Sequence, residues 1–184
     1  MEIITRRFLL REFTDDDGPA FLAYHADPRY AEFYPLEEVG PDHARELLQR
    51  FKQWTTERPR RNYQFAIAHL RNPRGLLGCC GLRGEGYGAD QAELGIELAP
   101  PHWGRYGYAI EVASALLEFG FRDLGLKEVR GFSNSANTPV TRLARRYGAV
   151  MIGTRPGPGW MLARGWSQTE WQLTRERWEE ISAV

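Results

Sequence analysis

The sequence predicts a mixed α/β fold of the α+β type, with about seven strands in a mostly antiparallel sheet flanked by about four helices. Two observations carry that expectation. Stretches that alternate apolar and polar residues are interleaved with stretches whose apolar residues recur every three or four positions. Their order is strand, two helices, three strands, helix, strand, helix, two strands, and short turns join the three consecutive strands as a meander. With 184 residues, 42% hydrophobic and 26% charged, the chain suits one domain spanning residues 1–184.

Phe8 to Phe13 is the first predicted strand, with Phe8, Leu10 and Glu12 alternating against Leu9, Arg11 and Phe13. Thr14 followed by Asp15, Asp16 and Asp17 places a capping hydroxyl and acids at a helix start, and that helix runs to about His25. A second helix fits Pro41 to Thr56, with Leu47, Leu48, Phe51 and Trp54 on one side. Strands follow at Tyr63 to Leu70, Leu76 to Leu82 and Gln91 to Leu98, separated by Asn72-Pro73-Arg74-Gly75 and the glycine-rich Gly84 to Gly88. The strongest helical periodicity runs over Gly107 to Leu124, where Ala109, Val112, Ala113, Leu116, Leu117, Phe121 and Leu124 share a face. Glu128 to Phe132 is a strand, Thr138 to Tyr147 a helix, and Val150 to Thr154 and Thr169 to Thr174 two late strands. Arg175 to Ile181 reads as a terminal helical turn.

No apolar run approaches the roughly 18 residues of a membrane span. Met1 to Arg7 has no secretory pattern, and Cys79 and Cys80 are adjacent, so in a strand they point to opposite faces. A cytoplasmic setting with both thiols reduced is expected. Two cysteines and four scattered histidines show no ligand spacing, so no metal is expected. The net charge of zero hides an asymmetry. Lys127 to Arg177 holds nine basic and three acidic residues, whereas Asp27 to Asp42 holds five acids against Arg29 alone. Such a division suits a polyanionic ligand on one half and a cation near the acidic rim. The basic residues come without a nucleic-acid recognition motif, and no nucleic-acid partner is expected.

The stretch Ala92 to Ala109 carries the chemistry. Ala92, Leu94, Ile96 and Leu98 alternate with Glu93, Gly95 and Glu97, so the two glutamates share a face across a glycine that leaves space for a ligand. The strand then runs through Pro100-Pro101 into Gly104-Arg105-Tyr106-Gly107 at the head of the strongest helix. Glycines at a strand-to-helix turn let backbone N–H groups approach an anion at the positive helix end, and a pyrophosphate is the natural occupant. The turn has no Gly-Lys-Ser/Thr ending, and no parallel strand-helix-strand unit with a downstream acid accompanies it.

From Arg6 to about Thr174 the chain resembles the GNAT superfamily of N-acetyltransferases, most closely the branch of ribosomal-protein N-terminal alanine acetyltransferases. The resemblance rests on four stretches: Leu9-Leu10-Arg11-Glu12-Phe13, Ala92-Glu93-Leu94-Gly95-Ile96, Trp103 to Glu111, and Asn137-Thr138-Pro139 with Arg142 to Ala149. It implies a centrally splayed sheet and an acetyl-CoA site, with pyrophosphate on the amides of Arg105, Tyr106, Gly107, Tyr108 and Ala109. Pantetheine would pair along Ile96, Glu97 and Leu98 and meet the Asn137 side chain, with Arg142 adding positive charge. Here Tyr106 adds one residue to the branch's tryptophan-glycine-x-glycine pattern. The positions where relatives carry a serine or a tyrosine are Val140 and Ala144, neither of which can protonate a departing thiolate.

The reaction implied is direct attack of an uncharged primary amine, on a protein N-terminus or a small molecule, on the thioester carbonyl. A backbone N–H near Leu98 would stabilise the oxyanion. Glu93 is the expected general base, directly or through water, with Glu97 second. Two other functions stay open: a CoA-binding module with little catalysis, and an acyltransferase taking a bulkier acyl-CoA beside the small Val140. Trp54, Trp160, Trp166 and Trp171 suit an acceptor pocket, core packing or a homodimer.

Overall fold

Phe8 and Leu10 are completely buried while Leu9 and Arg11 keep part of their surface, the alternation of a strand with one face on a core. The computed structural model to which they belong describes residues 1–35 and 38–183. Two units divide the described chain: Met1–Glu85 with Gly95–Ala115, and Gly86–Leu94 with the remainder from Leu116.

The first unit opens with β1 (Glu2–Ile4) and β2 (Phe8–Arg11), followed by helices α1 (Gly18–His25), α2 (Pro28–Ala31) and α3 (Pro41–Trp54). Strands β3 (Asn62–His69) and β4 (Gly78–Arg83) come next, then the second half of β5 (Gln91–Leu98) and the start of α4 (Tyr106–Glu118). Its strand order is β1-β2-β3-β4-β5, with β1–β2, β2–β3 and β3–β4 antiparallel. Gly78 is required where β4 meets β5: a Cβ there would lie 2.0 Å from the Glu97 carbonyl oxygen. On α3, Ala44, Leu48, Phe51 and Trp54 are buried at helical spacing. They pack with Phe13, Phe21, Tyr24 and Tyr30 into the core of this unit. Phe13 lies 5.4 Å from both Phe21 and Phe51, ring centre to ring centre.

The entry to α1 differs from the expected start. Asp15–Asp17 form a short 3-10 turn, and the α-helix proper begins at Gly18. The reason is Asp17, which is buried and turned back: its Oδ2 accepts from the Thr14 N–H at 2.9 Å, and Arg11 grips both its oxygens at 2.7 and 2.8 Å. Burial alone would raise the Asp17 pKa, but the bonds from Arg11 and Thr14 outweigh it and hold the carboxyl below its ordinary value.

The second unit contains the first half of β5, the end of α4, β6 (Glu128–Asn134), α5 (Thr138–Arg146), β7 (Val150–Pro156), α6 (Gly159–Leu162), β8 (Ser167–Thr174) and α7 (Arg175–Ser182). Its strand order is β5-β6-β8-β7. β5 runs parallel to β6 over Gln91–Glu93 and Glu128–Arg130, while β6–β8 and β7–β8 are antiparallel. Trp171 and Leu173 are buried on β8, and the Trp171 indole donates to Ser133 Oγ at 3.0 Å. Thr174 caps α7 by accepting from the Arg177 N–H.

The chain adopts a mixed α/β fold with mostly antiparallel pairing. Eight strands and seven helices stand among the described residues, more than expected, because β1, α2 and α6 are only three or four residues long and the expected terminal turn is the eight-residue helix α7. Segments so short carry too few residues to show a period. The long helix also ends differently. Its α-helical part stops at Glu118, and a π-helical turn continues over Phe119–Asp123.

Candidate functional site

The passage from β5 to α4 is built by short-range contacts within the first unit. After Leu98 a turn over Pro100–His102 leads to Trp103, whose indole Nε1 donates to the Leu98 carbonyl at 2.7 Å. Gly104 has φ +79°, a value that disfavours L side chains, and nothing lies within 4 Å of where its Cβ would be. α4 starts two residues later with no acidic residue in its first turn. Arg105 stays beside that turn, its Nη1 donating to the Tyr108 hydroxyl at 3.1 Å.

Arg7 and Glu111 hold this helix start. Arg7 Nη2 donates to the Gly107 carbonyl at 2.7 Å and Nε to Glu111 Oε2 at 2.6 Å, while the Arg7 N–H and Thr5 hydroxyl both reach Glu111 Oε1 at 2.7 Å. The Arg7 guanidinium also lies 4.9 Å from the centre of the Tyr108 ring. Burial pushes the Glu111 carboxyl up, but the bonds from Thr5 and Arg7 hold it below its ordinary value, so Glu111 is anionic near neutrality. An open glycine, a positive helix end and two guanidinium groups suit the phosphates of a coenzyme A. For the pantetheine arm, the Leu98 carbonyl is already engaged by Trp103.

On β5 the two glutamates have different surroundings. Glu93, in the second unit, lies 3.4 Å from the Tyr87 hydroxyl through Oε2. Burial, then the Glu93 charge, raises the Tyr87 pKa, so the phenol keeps its proton and donates. Glu97, in the first unit, accepts from Tyr24 at 2.8 Å on Oε1 and from Tyr30 at 3.1 Å and Tyr34 at 2.5 Å on Oε2. Cys79 Sγ stands 3.9 Å from Oε1. Burial foremost drives the pKa of all three phenols upward, so they act as donors. The space expected beside Gly95 is not open: a Cβ there would meet Arg83 Nη2 at 2.6 Å.

Ile96 and Leu98 are half-buried. In the second unit Asn137 is the N-cap of α5, its Oδ1 accepting from the Val140 N–H at 3.2 Å, and Arg142 is exposed on that helix. Cys79 and Cys80 are buried free thiols, and burial first pushes both pKa values far above the ordinary thiol range, away from the nucleophilic thiolate. Of the acidic rim, Asp27 pairs with Arg29 at 2.7 Å and Asp42 with Arg45 at 2.6 Å, while Glu37 lies outside the described residues. Sequence reasoning missed Arg7 and the three tyrosines. Only the four-residue step from Tyr30 to Tyr34 hinted at a shared face.

Among the described residues no group of three or more His, Cys, Asp or Glu is placed to hold a metal, and no helix is long and apolar enough to cross a membrane. Residues 7–150 match the family described as the acetyltransferase (GNAT) domain. The uncharacterized N-acetyltransferase YoaA of Bacillus subtilis is 30% identical over 145 residues, covering 78% of this chain and 80% of its own. An acetyltransferase (GNAT family) structure from Bacillus anthracis shares the fold with a TM-score of 0.76 at 23% identity, over 96% of this chain and 99% of that one. A Vibrio cholerae structure described as a ribosomal-protein-serine acetyltransferase superposes with a TM-score of 0.70 at 21% identity, over 95% of this chain and 97% of its own.

Proposed function

This chain belongs to the acetyltransferase (GNAT) family, and we propose that it moves an acetyl group from acetyl-CoA to a primary amine by direct attack. The observation that carries the reading is the α4 helix start, with its open Gly104, its guanidinium neighbours and no acidic residue in the first turn. Acetyl-CoA supplies a thioester whose carbonyl carbon accepts the amine lone pair and whose sulfur leaves.

The chain's own residues have four tasks. The amides and Arg105 of the α4 turn bind the phosphates. Arg7, through Gly107 and Glu111, keeps that turn in place. Glu93 takes the amine proton directly or through one water, with the Tyr87 hydroxyl orienting its carboxylate. Asn137 and Arg142 are proposed CoA contacts, by their match to the family's asparagine block. Val140 and Ala144 offer no acid for the thiolate, so water or a side chain from elsewhere in the chain protonates it. The buried, protonated thiols of Cys79 and Cys80 are not suited to carry the acetyl group covalently.

Thiol release from acetyl-CoA, screened against small primary amines and short peptides with free N-termini, tests the reading. Amine-dependent release with appearance of the amide is expected. CoA binding without release by any acceptor contradicts it, and faster release from succinyl- or longer acyl-CoA moves the donor assignment to a bulkier acyl group.

A further inference from the structure

Glu97 is a carboxylate with no ion pair among the described residues, although the Arg83 guanidinium stands at Gly95, two residues away on the same face of β5. Its hydrogen-bond partners are three phenols and one thiol. A half-buried anion held only by neutral donors is under-compensated, because dipoles offset less of the lost hydration than an opposite charge does. The nearby imidazole does not supply that charge. His25 is fully buried, burial lowers its pKa, and one ring nitrogen is bound to the Phe21 carbonyl at 2.8 Å.

The surroundings are those of a cation site. Tyr30 and Tyr34 stack at 4.2 Å between centroids and 12° between planes, and Tyr24 lies 5.7 Å from Tyr30. Aromatic faces beside a carboxylate attract an ammonium through the ring quadrupole as well as through charge. Tyr34 and Glu97 keep part of their surface exposed. Glu97 is at the same time poorly placed to serve as a base. Three phenols already donate to its two oxygens, and the long Cys79 contact at 3.9 Å leaves one of about four acceptor positions for an ammonium N–H. An amine held there as an ammonium has no lone pair with which to attack.

We propose that Glu97, with the part-exposed ring of Tyr34 that stacks on the buried Tyr30, forms a specificity subsite for an ammonium group that the acceptor carries in addition to the amine it presents for acetylation. The inference rests on the acetyl-transfer reading and narrows its acceptor to amines with a second cationic centre. It also moves the attraction for a cation from the rim, where Asp27 and Asp42 already have arginine partners, to the unpaired carboxylate on β5.

Three probes with the same reacting amine test it: butylamine, its diamine counterpart putrescine, and the anionic γ-aminobutyrate. Wild-type kcat/KM should be about tenfold higher for putrescine than for butylamine, with γ-aminobutyrate poorest. Glu97→Gln should erase that order, bringing the putrescine-to-butylamine ratio of kcat/KM to about one. Tyr34→Leu removes a ring face, leaves the carboxylate, and does not depend on how Glu97→Gln folds; it should raise the KM for putrescine several-fold and leave that for butylamine unchanged. A putrescine preference that survives Glu97→Gln, or an unchanged putrescine KM in Tyr34→Leu, overturns the subsite. Calorimetric binding of putrescine separates this from the broader reading. Binding that is lost in Glu97→Gln upholds the subsite even where no thiol is released, an outcome that removes acetyl transfer instead. Equal binding by both proteins overturns the subsite.

Discussion

Glu93 and Glu97 stand four residues apart on β5, yet their neighbours set them different tasks. Glu93 meets the Tyr87 phenol at 3.4 Å, whereas three phenols close around Glu97. Glu93→Gln should therefore lower turnover about a hundredfold or more while leaving CoA affinity unchanged, read by steady-state kinetics and calorimetry. A loss in CoA affinity instead would make Glu93 part of the binding surface. The alternation that puts both residues on one strand was readable from the sequence, because period two needs only local information. The tyrosine cage was not, since its members come from α1, α2 and the chain after α2 and meet only in the tertiary structure. Asp17 supports a stability prediction at the same scale. Its side chain is 1% exposed and paired with Arg11, so Asp17→Ala should cost about 3 kcal/mol in urea unfolding by leaving a part-buried guanidinium without its carboxylate. The native pKa is depressed, so the contribution is complete above the ordinary carboxylate value. It is lost as pH falls below about 4, through the lower native value. A stability difference between wild type and Asp17→Ala that persists undiminished well below that pH contradicts this account.

At the scale of elements, α4 is the part whose ends decide function. Its apolar periodicity was plain in the sequence, and so was the glycine turn before it. The brace was not legible, because Arg7 and Glu111 lie 104 residues apart and no local rule pairs them. Gly107→Glu places a carboxylate where phosphate approaches the helix end, and the fold tolerates it, since a Cβ at that position meets only Arg7 Nη2 at 3.6 Å. CoA affinity should fall by more than about tenfold, with far-UV dichroism and melting of the free protein close to wild type. Unchanged affinity would mark Gly107 as a simple helix start. The short elements α2 and α6, each bounded by proline or glycine, are set by packing and turn chemistry rather than by a period.

At the scale of the molecule, 24 basic and 24 acidic residues cancel in number but not in position. The basic stretch Lys127 to Arg177 falls within the second unit, and a polyanionic co-substrate suits it. CoA at about a hundred times its Kd should stabilise the protein by about 2.7 kcal/mol, a rise in Tm of about 5–10 °C for a chain of this length. No rise at millimolar CoA contradicts binding to the native protein. A single transition in that experiment is expected of one domain over residues 1–184, and two transitions would separate the units. Strand types were largely legible from periodicity. The strand order β5-β6-β8-β7 was not, because it depends on β8 entering between β6 and the earlier β7.

The most direct test of acetyl transfer follows the acetyl carbon itself. Acetyl-CoA labelled at the carbonyl is mixed with wild-type protein and putrescine, and the label is followed by carbon NMR. The account predicts that the thioester signal is replaced by an amide signal, about a hundredfold more slowly in Glu93→Gln. Label that stays in the thioester, or appears only as free acetate, would contradict it.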